Sequence, residues 1–196
     1  MSASIIMPKH SLEQLKVMNP KRTIKTFLVP AAMLQAEFNG KEFNILIELV
    51  KGHIVFKPEE NYLVKLINLN DINMNEALVL RKALETDVFD LDQLDVGLGE
   101  IKTRNVIDNL CKKGMLIYID RKYSVSDEVN FIYNPDEYAS TEKILDNERT
   151  EQIFKDENSR KLPEKVNLDE IRRQISNICS VKNIKKCWIL HYYIEK

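Results

Sequence analysis

Three histidines, three cysteines and one tryptophan are the side chains of this sequence whose chemistry could exceed a structural role. His10, His53 and His191 stand far apart, and none belongs to a spacing that ligates a metal or activates a nucleophile. His53 follows Lys51-Gly52 and reads as a turn or sheet residue. Gly97-Leu98-Gly99 has the glycines of a phosphate loop. Such a loop needs a strand before it and a Lys-Ser or Lys-Thr after it, so this one reads as a connection between helices. Glu48 with Lys51 would suit a metal-dependent nuclease strand only beside a partnered aspartate, which the sequence does not supply. Cys111, Cys179 and Cys187 are odd in number and lack C-x-x-C spacing, so they fit neither a disulfide framework nor a zinc site and read as small apolar fillers. Trp188, Tyr192 and Tyr193 beside Lys185 and Lys186 could stack bases over a basic groove. Alternation favours another role, in which Trp188, Leu190 and Tyr192 share one strand face and cover the apolar stripe of the preceding helix. No catalytic, metal or cofactor set emerges, and the chain does not read as an enzyme.

Composition and charge bound the rest. With 44% hydrophobic and 30% charged residues in 196, the chain can bury a real core and suits one domain or two small ones. A net charge of −1 argues against a surface that neutralises phosphates everywhere. The balance is uneven: the stretch 160–186 carries +5, which leaves −6 for the remainder. No apolar run approaches the roughly 18 residues of a membrane span, and Met1 to His10 has no signal-peptide core. The expectation is a cytosolic protein, in the cytoplasm and without a membrane partner.

The elements that position these residues are legible in parts. Asn39-Gly40, the dipeptide of a type I′ hairpin, separates a strand over 33–38 from one over 42–49, and Lys51-Gly52 turns into a third over 53–56. Phe43, Ile45, Ile47 and Leu49 share one face, and Leu46 interrupts the other. Pro58 stops the third strand, and 62–67 is a fourth. From Asn73 the period becomes helical. Asn73 and Glu76 form a capping box before Ala77, Leu78, Leu80 and Leu84, with a turn at Thr86-Asp87. A second helix over 90–96 ends at Gly97. A third, over 100–113, aligns Val106, Ile107 and Leu110 and ends at Gly114. Residues 116–125 read as a tight hairpin. Residues 134–165, with nine acids and six bases, predict a solvated helix or linker. Asn167 and Glu170 cap a last helix whose stripe is Leu168, Ile171, Ile175 and Ile178, and 181–194 reads as one strand. The expected fold class is α+β: a β-rich N-terminal domain over 1–70, a helical module with a hairpin over 71–133, the charged segment 134–165, and a helix-strand unit over 166–196.

Three helices followed at once by a hairpin, with Val106-Ile107-Asp108-Asn109-Leu110-Cys111-Lys112-Lys113-Gly114-Met115-Leu116-Ile117 leading into it, resemble the winged helix-turn-helix superfamily over residues 73–132. The resemblance covers under a third of the chain and bears on fold more than on role. It implies that the exposed N-terminal half of the third helix enters a DNA major groove while the wing touches the backbone. The matching residues are Lys102, Thr103, Arg104, Asn105 and Asn109, with Arg121 and Lys122 at the wing tip. Arginine suits guanine and asparagine suits adenine, whereas Thr103 and the wing bases suit phosphates. Double-stranded DNA is thus the first expected partner, and transcription regulation the expected role. Glu85, Asp87, Asp90, Asp92, Asp95 and Glu100 oppose it, because carboxylates beside a polyanion weaken binding. They suit the alternative, a winged helix that docks a protein in a transcription, replication or sorting assembly. Exposed strand edges could also pair two copies as a homodimer.

Overall fold

The computed structural model describes residues 4–8, 10–57, 62–66, 68–86, 88–130, 142–144 and 159–195. It shows a mixed α+β chain built on one large and one small sheet. Asn39 and Gly40 adopt φ of 50° and 75°, the left-handed pair that a type I′ turn requires. They join β2 (Ile24–Phe38) to β3 (Lys41–Glu48), as the sequence predicts. The Lys51-Gly52 turn leads into β4 (His53–Lys57), which pairs with β5 (Tyr62–Lys65). That turn is held from beneath by Glu48, only 5% exposed, whose carboxylate accepts the N–H groups of Val50 (2.8 Å), Lys51 (3.0 Å) and His53 (2.9 Å).

The strand expected over 181–194 is β11 (Ser180–Ile194), and it lies in the middle of the large sheet. It runs antiparallel to β2 from Ser180 opposite Glu37 to Ile194 opposite Ile24. On its far side β1 (Ser4–Ile6) pairs in parallel, and β9 (Glu142–Ile144) closes that edge. The other side of β2 is shared. β3 takes Ala31 to Phe38, and β10 (Ser159–Lys161) takes Thr26 to Leu28. Pro30 falls in the interval between them, where its missing N–H interrupts no ladder. β9 and β10 correct the helix or linker expected over 134–165 at 142–144 and 159–161, while 162–165 is irregular. Both are three-residue strands, and Arg160 and Lys161 are exposed, as charged residues on a short strand can be. The remainder of the charged segment, 134–141 and 145–158, lies outside the described residues, as do Pro58, Ile67 and Asp87.

One face of the sheet and the helices share a continuous core. Leu34, Ala36, Phe43, Ile45 and Ile47 pack in the same cluster as Ile171 and Ile175 of α5 (Leu168–Ser176), whose N-cap Asn167 accepts the Asp169 N–H. The cluster continues into α2 (Met74–Thr86) and α3 (Glu100–Lys112). Leu80, Leu84, Val106, Ile107 and Leu110 are buried there, but Leu78 is 41% exposed, and Val79 and Ala83 complete the inner face of α2. Trp188, Leu190 and Tyr192 do not cover the α5 stripe. They lie farther along β11 with Ile5 and Leu28, while Val181 and Ile184 meet the core beneath α5. Length explains this: at about 3.3 Å per residue, a 15-residue strand greatly outruns a nine-residue helix at about 1.5 Å per residue.

The small sheet joins β6 (Val88–Phe89), β8 (Lys122–Val125) and β7 (Leu116–Ile119), in that order; α4 (Asp127–Asn130) follows. The helix expected over 90–96 is a single 3-10 turn, Leu91–Gln93. Leu91, Leu94, Val96 and Leu98 all meet the core, and the final two-residue spacing cannot lie on one face of an α-helix. The capping box forms as expected. Asn73 Oδ1 accepts the Glu76 N–H (3.0 Å), and Glu76 Oε2 accepts the Asn73 N–H (2.8 Å). The same carboxylate, 2% exposed, receives Lys113 Nζ at 2.8 Å from both oxygens, tying the start of α2 to the end of α3.

Three measurements check this packing. Leu84→Ala and Leu110→Ala should each lower the unfolding free energy by about 2 to 5 kcal/mol in urea titrations, and a change under about 0.5 kcal/mol would contradict the burial. Lys113→Met should cost about 3 to 5 kcal/mol by leaving the Glu76 charge unpaired, and Glu76→Gln with Lys113→Met should recover part of that loss. Burial pushes the Cys179 thiol up to about 12, so native protein near pH 8 should alkylate there only as fast as it unfolds. Rapid labelling of Cys179 in folded protein would refute its placement.

Candidate macromolecular interface

The surface singled out by sequence is made of α3 and the β7–β8 hairpin. Gly99, with φ of 76°, turns the chain into α3, where an L side chain would be strained. Along the helix, Lys102, Asn105 and Asn109 are exposed, and spacings of three and four place them on one side. Arg104 is exposed as well, but its Nη2 lies 3.4 Å from Glu100 Oε1, one turn back. Thr103 is not on this surface. It is 5% exposed and faces the 3-10 turn, so it cannot hold a phosphate. The register explains this, since Thr103, Val106, Ile107 and Leu110 form the inward stripe of α3.

The hairpin turn is Asp120-Arg121, with φ of 52° and 67°. These are the left-handed values of a two-residue hairpin turn, here without the usual glycine. Arg121 and Lys122 project at the tip and are exposed. The inner face of the hairpin is aromatic. Tyr123 stacks on Phe89 (centroids 5.7 Å apart) and meets Tyr118 at 4.7 Å. Burial, then the Asp108 carboxylate, pushes the Tyr123 phenol above its ordinary range, and the same two causes raise the Cys111 thiol. Tyr123 and Cys111 therefore mark where the hairpin closes on the Asp108 side of α3.

Several surface residues escaped the sequence reading. Ile101 is 81% exposed at the start of α3, and Ile119 is 60% and Tyr118 57% exposed on β7. Val88 and Ile117 both register against Ser124, one on each side of β8, so the outer face of the small sheet carries an apolar strip. The signal was present in Leu116-Ile117-Tyr118-Ile119: in a hairpin with one covered face, an unbroken apolar run must leave alternate side chains in water.

Charge around this surface is balanced, with six carboxylates and six bases between 88 and 125. Asp92, Asp95 and Glu100 line a cavity of about 260 Å³ with Gly99 and Thr103 at the start of α3. Glu85 belongs elsewhere, bonded to Lys82 and Asn39, and Lys82 first, then Asn39, holds its carboxyl below the usual range. The other aromatic candidates, Trp188 and Tyr192, are half-buried, and Tyr193 meets Phe27 edge-on at 6.4 Å. Among the described residues, no set of three or more His, Cys, Asp or Glu is placed to hold a metal ion. Nor is any described helix long and apolar enough to cross a membrane. No protein-family model, curated protein or solved structure matches the chain.

The raised Tyr123 phenol has a measurable consequence. The unfolded chain ionises this tyrosine near pH 10, before the folded chain does, so its contribution to stability is complete below that pH and fades as pH rises through the folded value. Tyr123→Phe should flatten the alkaline fall of unfolding free energy. An unchanged slope would place Tyr123 in solvent.

Proposed function

We propose that residues 73–132 are a winged helix that docks a protein, through the start of α3 and the outer face of the small sheet. The order of elements supports the fold reading: three helical segments, the last two joined by Gly97 and Gly99, run directly into a tight hairpin. The observation that carries the docking role is the exposure of Ile101, Ile119, Val88 and Ile117 on a surface whose acids and bases balance. Exposed apolar groups on a surface with no excess of positive charge suit a protein partner better than a polyanion. Asp92, Asp95 and Glu100 beside Ile101 define the partner's chemistry: an apolar patch flanked by lysine or arginine. A subunit of a transcription, replication or sorting assembly would meet this description.

A second reading, double-stranded DNA, is favoured by Lys102, Asn105 and Asn109 on one side of α3 and by Arg121 and Lys122 at the wing tip. Asparagine can bond adenine in the major groove, and the four-atom reach of the wing bases suits phosphates. The two readings differ in electrostatics. Under protein docking, the wild-type chain shows no salt-sensitive binding to a mixed-sequence duplex at about 50 mM salt, while Asp92→Lys with Asp95→Lys gains it. A photo-crosslinker at Ile101 then gives one nuclease-resistant adduct that the double charge reversal removes. Tight, salt-steep DNA binding by the wild type, weakened by Arg121→Ala and Lys122→Ala, would establish the DNA reading instead.

A further inference from the structure

Two of the three histidines in the chain, His53 and His191, converge on one cavity although 53 and 191 come from opposite parts of the sequence. β4 places His53 and β11 places His191 on the face of the large sheet opposite the helices, where Val55, Leu162 and Ile189 give the cavity apolar walls. Neither imidazole makes a side-chain hydrogen bond to a described residue. The nearest group is Glu48 Oε1, 3.8 Å from His53 Nδ1, which is beyond hydrogen-bond range. Glu48 is itself saturated, because its two oxygens already accept the N–H groups of Val50, Lys51 and His53. The polar side chains left to meet an occupant are thus Lys51, a donor, and the two imidazoles, each of which can turn a ring N–H toward it.

We propose that this cavity is a binding site for a small aliphatic carboxylate, its oxygens received by His53, His191 and Lys51 and its hydrocarbon held against Val55, Leu162 and Ile189. A lysine and two imidazoles able to donate, beside a Glu48 carboxylate whose oxygens are already taken by backbone N–H groups, favour an anionic oxygen ligand, and apolar walls favour a hydrocarbon body over inorganic anions. Size narrows the class. The cavity is small, about 180 Å³, which suits a short acid such as butanoate better than a long-chain one. The site lies on β3, β4 and β11, away from the α3–wing surface, and does not depend on the role proposed for that surface.

Butanoate itself is the probe, titrated into the full chain at fixed pH and ionic strength while the imidazole resonances are followed by NMR. The ring signals of His53 and His191 should move together along one saturable millimolar curve, with His10 unmoved and with neutral butan-1-ol at least tenfold weaker. His191→Phe should abolish saturation while the backbone amide spectrum stays folded, and His53→Ala provides the same reading should His191→Phe fail to fold. Shifts that sodium chloride reproduces, a linear response without saturation, or binding unaltered in either folded variant would overturn the proposal.

Discussion

The pairing of β2 with β11 is the constraint on which the rest of the molecule depends. Strands from opposite ends of the sequence run antiparallel over nearly their whole lengths, and every other strand of the large sheet reaches them directly or through intervening strands. β2 has room on its other side for β3 and β10 in turn, and β11 accepts β1. Both faces of this ribbon are apolar, so it forms the floor of the helical core and of the His53–His191 cavity alike. Such a pairing closes nearly the whole chain as one loop, whose entropy must be offset before the strands are rewarded. Local hairpins around Asn39-Gly40 and Asp120-Arg121 can form first, but neither buries a core alone.

Within the helical module, one carboxylate does several jobs. Glu76 closes the first turn of α2, receives Lys113 from the end of α3, and is buried while doing so. A buried charge with full hydrogen bonding is tolerated, and one missing partner is costly. The Glu76–Lys113 pair adds a polar tie between α2 and α3 to the apolar contacts of Leu80, Leu84, Ile107 and Leu110. Glu48 plays the corresponding part at the β3–β4 turn, where backbone N–H groups take the place of the lysine.

What could be read in the sequence was whatever is written locally. Asn39-Gly40, the Asn73–Glu76 box, Gly114 after α3 and the Ile171–Ile175 stripe are signals within a few residues, and each element stands where they place it. The helix α1 (Leu12–Met18) carried a comparable signal, since Ser11 and Gln14 form its capping box, and it went unread. β1, β6, β9 and β10 have two or three residues each, too few for any period to show. They exist because a partner strand distant in sequence offers unpaired backbone, which is a tertiary fact. The interface was half legible for the same reason. Spacing along α3 gave Lys102, Asn105 and Asn109, but the burial of Thr103 depends on the 3-10 turn packed against it, and the exposure of Ile101 and Ile119 depends on what fails to cover them.

Arg81 donates to the carbonyls of Asn177 and Ile178, while Asn177 Nδ2 donates to the Leu69 carbonyl and Gln174 accepts the Leu69 N–H. These bonds fasten α2 and its entry segment to the end of α5, and α5 rests on the sheet through the shared core. The module is therefore bolted to its base rather than hung from it by a tether. A ligand gripping α3 and the β7–β8 hairpin would not have to freeze a swivelling joint, so the entropy of fixing one body against another is already spent before encounter. Lever-like geometry follows as well: whatever direction the β7–β8 hairpin is turned, the sheet turns with it.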